Sequence, residues 1–398
     1  MKSRVWGGIF IIAGTTLGAG MLAFPIVGLR VGVSASFSIM LFYWLYMLIT
    51  AILAAEVVIR SGSLATIPEI AGKVLGPGWS YVGAIALLLL FGSLMVAYTV
   101  SGASILKNVL GDLIPLSQGG CMVLMAGIFG PVIVGKIPAL DKINRHLFFL
   151  MIVALGLMSV IIWGSPPPAV MVRPYTPRFS DLAAVIPVLF TTFGFQGSIP
   201  VIIKYVGTRR RDVWLTFGLG SFIPLLVYIL WQHVALDGLS ADAYIQAREL
   251  EIDNVGPFLK LLKETALENS SDTVGILFSA SAQTFAFFAI VTSYIGVGLT
   301  LKDYAHNVLA KTPVFATSLR QFLVISGVPL MAALVYPHAF IGALGFAGLM
   351  LLVLAVILPS MIYMKIPGRK VSITILWACV LLIGISVGAA EISSLLGK

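Results

Sequence analysis

The residues best suited to chemistry form two clusters of small and hydroxyl-bearing side chains inside strongly apolar stretches. In the first, Gly14-Thr15-Thr16-Leu17-Gly18-Ala19-Gly20 sets three glycines within seven residues, and Pro25 follows shortly after. The second, Phe190-Thr191-Thr192-Phe193-Gly194-Phe195-Gln196-Gly197-Ser198, runs into Pro200. Glycine weakens a helix interior by about 1 kcal/mol relative to alanine, and proline removes a backbone donor, so each cluster predicts an interrupted helix. Non-helical backbone at membrane depth is tolerated only where it lines a cavity or is buried in protein, because an N–H or C=O left to lipid costs several kcal/mol. Half-helix N-termini present free amides and a positive dipole end to a carboxylate, while unwound carbonyls suit an ammonium group or a cation. A zwitterion needs both. Either cluster alone also reads as small residues that let helices approach closely; their recurrence at matching places, each with threonine, favours a binding site.

The elements that hold these clusters are set by composition. The chain has 398 residues, 59% hydrophobic and 10% charged, where a soluble domain carries about a quarter charged residues. Apolar runs of spanning length succeed one another from Val5 to Ala390, and barrel strands would instead read as short alternating segments. Charge and Pro/Gly punctuation predicts eleven spans near 5–29, 34–60, 81–106, 119–135, 147–163, 183–205, 213–234, 274–301, 319–336, 339–364 and 371–390. The first is too long for a signal peptide's apolar region and is expected to be retained. The two breaks fall in the first and sixth spans, each opening a block of five, and the odd number makes the second block run inverted. The expected division is a first repeat over 1–164, a periplasmic loop over 165–182, a second repeat over 183–364 that includes a periplasmic loop at 235–273, and an extra helix within 365–398.

The formal charge of +9 reads first as loop anchoring. With a cytoplasmic N-terminus, seventeen lysines and arginines fall on the inner side and eight on the outer, which supports that orientation and puts the C-terminus in the periplasm. Arg209-Arg210-Arg211 is thereby a topology anchor, and no nucleic-acid partner is expected; the lipid bilayer is. Within the longest loop, Ala235 to Thr273, the stretch VGPFLKLLKETAL has apolar positions spaced for one helix face, which would either lie on the bilayer or cap an outer vestibule. Cys121 and Cys379 sit inside apolar runs, giving no disulfide framework or zinc site. His146, His233, His306 and His338 stand near span ends without carboxylates in motif spacing, and no phosphate loop, dinucleotide fingerprint or nucleophile elbow is present. No enzyme, metal or cofactor is expected. A channel would need a polar stripe, whereas the polar residues concentrate at the breaks.

AGTTLGAGMLAFP at 13–25 and IPVLFTTFGFQGSIP at 186–200 closely resemble the bacterial hydroxy- and aromatic-amino-acid permeases, the tyrosine-specific members above all. Ala97-Tyr98-Thr99-Val100-Ser101-Gly102-Ala103, IPLLVYILWQ at 223–232 and Thr292-Ser293-Tyr294-Ile295-Gly296-Val297 extend the likeness over nearly the whole chain. The resemblance implies an all-α, leucine-transporter-like fold within the amino acid–polyamine–organocation superfamily: about eleven helices, a five-plus-five inverted repeat and discontinuous first and sixth helices. It implies import of an aromatic amino acid, L-tyrosine first, driven by the proton motive force across the bacterial inner membrane. A tryptophan or broad aromatic permease and a sodium-coupled neutral amino acid transporter are the alternatives; the oligomeric state is left open. Permeases of this group usually carry histidine where this chain has Gln196, and glutamine cannot titrate, so a proton role does not transfer to that position.

By motif match the substrate backbone meets Gly14, Thr15, Thr16, Gly18, Ala19 and Gly20 in the first break and Thr192, Phe193 and Gly194 in the second. Phe193 and Phe195 frame a ring or pack in the bundle, and Gln196 bonds a phenol hydroxyl or pairs with another helix. The resemblance also places Tyr98 beside the site. Glu56, the one acidic residue well inside a span, reads as a proton carrier or as a partner of Arg60 at i+4. Thr292 and Ser293 resemble the sodium site of distant sodium-coupled relatives, or are structural hydroxyls. Leucine at Gly18 is expected to block substrate while leaving the fold intact.

Overall fold

In lipid every backbone donor and acceptor must be satisfied within the protein, and the chain does so with helices alone: no strand occurs among the described residues. A computed structural model describes residues 3–62, 64–110, 114–135, 140–163, 179–309, 317–367 and 371–396. The expected loop at 165–182 falls, up to residue 178, outside them, as do the charged loops 136–139, 310–316 and 368–370.

The first span is broken as predicted. Helix α1 (Ser3–Thr16) stops at the glycine cluster, a 3-10 turn (Ala19–Leu22) restarts the chain, and α2 (Ala23–Val31) completes the crossing. The two pieces are bent by 52°. Gly32, at φ 87°, turns the chain into α3 (Val33–Arg60). A short α4 (Ile67–Leu75), closed by a Thr66–Glu69 capping box, precedes α5 (Pro77–Leu110), α6 (Gln118–Val134) and α7 (Leu140–Trp163).

The sixth span repeats the design: α8 (Phe179–Thr192), a 3-10 turn (Gln196–Ser198) and α9 (Ile199–Val206). Gly207, at φ 99°, then turns into α10 (Arg210–Asp237) in the way Gly32 does after the first break. The remaining helices are α11 (Ala241–Glu249), α12 (Val255–Asn269), α13 (Asp272–Leu309), α14 (Ser318–Phe322), α15 (Val328–Val335), α16 (Phe340–Leu352), α17 (Leu358–Lys365) and α18 (Val371–Leu396). Leu323–Gly327 and Val353–Ile357 are π-helical turns that join α14 to α15 and α16 to α17. Each is followed two residues on by a proline, Pro329 and Pro359; proline has no N–H for the carbonyl four residues back, and a widened turn relieves the clash.

Among the described residues eight helices are long and apolar enough to cross a membrane, the bent first pair makes a ninth, and shorter apolar helices at Gln118–Val134 and Ile373–Ala389 fill the fourth and eleventh expected places. Several helices overrun their apolar windows. The fifth begins at Leu140 rather than 147 and the eighth ends at Leu309 rather than 301, because backbone hydrogen bonding continues past the residues that face lipid. The loop stretch VGPFLKLLKETAL forms α12, whose Phe258, Leu259 and Leu262 are buried against α5 and α13, so it caps the bundle instead of floating on the bilayer.

Candidate functional site

The site is built where the breaks meet. α1 packs on α10, α2 on α8, α5 on α13 and α16, and α8 on α16, and both interrupted spans border one cavity together with the third, fifth, eighth and tenth. Close approach explains particular glycines. A Cβ on Gly20 would lie 2.8 Å from Thr192 Cγ2, so the first break touches the second. A Cβ on Gly194 would lie 2.5 Å from Leu351 Cδ2, and one on Gly18 would lie 2.7 Å from Ser293 Oγ. Gly14 faces open space, with nothing within 4 Å of its would-be Cβ. Leucine at Gly18 is therefore no clean probe of binding, contrary to expectation: it collides with α13 before it reaches a substrate.

A cavity of about 340 Å³ lies at this junction, within the size range of small-molecule sites. Gly14, Thr15, Thr16, Gly18 and Gly20 line it from the first break, and Thr192, Gly194 and Phe195 from the second, with Tyr98, Thr292 and Ser293 opposite. These are residues expected from sequence. Three expected residues are not brought to the cavity. Phe193 is buried between Phe24 and Tyr228, at ring-centroid distances of 5.8 and 5.2 Å. Gln196 turns away to α3, where its amide donates to Thr50 Oγ1 at 2.9 Å and to the Met47 carbonyl at 3.2 Å. Glu56 is held by two arginines: Arg60 Nε donates to Oε1 at 2.6 Å, while Arg210 donates from Nε to Oε2 and from Nη2 to Oε1, both at 2.9 Å. Ala19 lies in the 3-10 turn, and its side chain is outside what the structure describes.

Other lining residues escaped the sequence reading. Asn144 sits beside the charged run Asp141, Lys142 and Arg145, which made it read as loop; its buried Oδ1 and the Thr16 hydroxyl have no hydrogen-bond partner among the described residues. Phe91 and Phe148 join Tyr98 and Phe195 as aromatic walls, and no charged side chain appears among the described lining residues. Tyr228 does not line the cavity but ties its two halves together: its hydroxyl lies 2.5 Å from the Thr16 carbonyl and 3.2 Å from the Thr192 carbonyl, one acceptor freed by each break. His233, read as lacking a carboxylate, has Nδ1 at 2.9 Å from Asp237 Oδ2 one turn along α10, apart from the cavity.

Access is one-sided. Lining residues on α7 lie near its start, at Asn144 and Phe148, and on α13 they run toward its end, to Thr300, with Gly14 and Thr15 exposed. The other side of the breaks is sealed by the buried rings of Phe24, Phe193 and Tyr228, in mutual contact at 5.0 to 5.8 Å. In chemical terms the cavity offers restarted-helix amides at both breaks, the last-turn carbonyls of α1, unpaired hydroxyl and amide oxygens, and aromatic walls.

Two discontinuous helices that meet at a one-sided cavity inside an all-α membrane bundle define a transporter. The chain matches the tryptophan/tyrosine permease family over residues 1–385 and belongs to it. It is 33% identical to the tyrosine-specific transport system 1 of Haemophilus influenzae, over 91% of this chain and 88% of that protein. It is 28% identical to a tryptophan-specific transport protein of Pseudomonas aeruginosa, over 90% and 86% of the two chains. In fold it is similar to a manganese transporter of Eremococcus coleocola, with a TM-score of 0.63 at 14% identity, covering 98% of this chain and 87% of that one.

Proposed function

We propose that the chain imports an aromatic amino acid, L-tyrosine first, by proton symport with alternating access across a bacterial inner membrane, its N-terminus in the cytoplasm. The observation that carries this reading is the lining of the cavity: helix-end amides and carbonyls for a zwitterion's two charges, Phe91, Tyr98, Phe148 and Phe195 for a ring, and no charged side chain among the described lining residues. A substrate with a charged side chain would find no counter-ion there, whereas a neutral aromatic one leaves no buried charge unpaired. The relatives named for tyrosine and tryptophan support the same class. In this reading the sealed Phe24, Phe193 and Tyr228 cluster is the closed outer side, and the exposed Gly14 and Thr15 mark the open inner one.

A sodium-coupled reading has one observation in its favour. Thr292 and Ser293 donate to their own helix, to the Phe288 and Ala289 carbonyls at 2.8 and 2.7 Å, and their hydroxyls line the same cavity as Gly14 and Thr15 of the first break. Uptake of labelled tyrosine into proteoliposomes separates the readings. A pH gradient alone is expected to drive accumulation, with tyrosine, phenylalanine and tryptophan as the only strong competitors among the common amino acids. Accumulation that follows a sodium gradient and is lost in Thr292→Ala overturns the proton assignment, and competition by small aliphatic amino acids overturns the aromatic one.

A further inference from the structure

On the opposite side of α13 from the site, α5, α12 and α13 enclose a groove in two adjoining parts of about 490 and 600 Å³, which share Lys263 and Gln283. One part is apolar, lined by Leu106 and Val109 of α5 and by Ile276, Ala280, Phe287 and Phe288 of α13. The other gathers Lys107, Lys260 and Lys263, with no carboxylate among its described lining residues. At roughly 100° per residue, the groove residues of α13 lie on about the opposite face from Thr292, Ser293 and Gly296, so the groove opens away from the transport cavity. Val109 and Ile276 are 50% and 60% exposed on a bundle that crosses a membrane, and there lipid rather than water covers an apolar face.

Charge and length select the occupant. Three ammonium groups offer only donors, and the one carboxylate paired with Lys260 among the described residues, Glu264 at 3.8 Å, forms an exposed i,i+4 pair of little strength. The apolar wall from Ile276 to Phe288 runs about 18 Å along α13, comparable to the roughly 15 Å of one leaflet's hydrocarbon. A free anion would use the lysines and ignore the groove, and a zwitterionic lipid carries its own compensating amine. We infer that this groove holds one anionic phospholipid, its phosphate on Lys107, Lys260 and Lys263 and an acyl chain against α13, which fastens the capping helix α12 to the bundle.

Native mass spectrometry of the full chain in neutral detergent, with phosphatidylglycerol and phosphatidylcholine added at equal concentration, tests this. One phosphatidylglycerol is expected to stay bound in preference to phosphatidylcholine. The triple variant Lys107→Gln, Lys260→Gln, Lys263→Gln is expected to bind it about a hundredfold more weakly, from roughly 1 kcal/mol for each lysine near a membrane surface. Ala280→Trp, at an exposed position that keeps the lysines and fills the apolar part, is expected to weaken it as well. Unchanged retention in either variant, with helical content preserved, overturns the site. So does displacement of the lipid by inorganic phosphate as effectively as by more phosphatidylglycerol, since that would mean the lysines hold an anion without the groove.

Discussion

Gly14 and Gly18 stand four residues apart in one broken helix and do different work. Gly18 gives α13 room, with Ser293 Oγ at 2.7 Å from its would-be Cβ, whereas Gly14 borders the cavity with nothing within 4 Å. Leucine at Gly14 is expected to leave the unliganded protein's stability within about 0.5 kcal/mol of the parent, as an exposed position does, and to abolish its stabilisation by tyrosine. Leucine at Gly18 is expected to cost about 1–3 kcal/mol by overpacking, whatever its effect on binding. Thermal unfolding of both variants with and without tyrosine reads both quantities. Normal tyrosine stabilisation in the Gly14 variant would move the substrate away from the first break. Resemblance and local residue types made most of this cavity legible, but it took the packing to distinguish a glycine that is needed for contact from one that is needed for space.

Among the elements, α3 and α10 are joined near one end of the bundle by Glu56, which binds Arg60 on its own helix and Arg210 at the start of α10. Arg60 also lies 5.7 Å from the ring of Tyr363 on α17, so three spans converge on this group. Protonating Glu56 would leave two guanidinium groups facing each other, which argues for a clamp rather than a carrier. Because α10 follows α9 through Gly207, the clamp also steadies the second half of the sixth span. Glu56→Gln is expected to lower stability by about 1–2 kcal/mol, below the full value of a charged hydrogen-bond pair because the Arg210 side chain is 54% exposed. The pH profile of uptake is expected to keep its midpoint. A shifted midpoint in vesicles of known internal pH would return Glu56 to the proton pathway.

For the molecule as a whole, the eleven apolar runs and the bias of lysine and arginine give the expectation that the two termini lie on opposite sides of the membrane. A reporter fused after Lys398 is expected to behave as periplasmic, and one inserted at Arg210 as cytoplasmic. Two cytoplasmic signals would remove one crossing after Arg210 from the count, and a periplasmic signal at Arg210 would reverse the assignment of open and closed sides. Under the proposed alternating access the one-sided cavity is a single state of the cycle, and the Phe24, Phe193 and Tyr228 cluster is expected to part in the other.

The sequence by itself determined that this is a helical membrane protein, where its spans fall, and that the first and sixth are broken. Those properties are local: hydropathy over about 20 residues sets a crossing, and glycine and proline interrupt a helix wherever they stand. Only the tertiary structure decided which side chains reach the cavity. Phe193 and Phe195 differ by two positions in an unwound turn that has no fixed period, so no pattern predicts that one packs on Tyr228 and the other faces the site. Glu56 meets Arg210 across 154 residues, and Tyr228 meets Thr16 across 212. Which helices become neighbours depends on the whole bundle closing at once, and that closure also carries Asn144 from what reads as loop into the wall of the cavity.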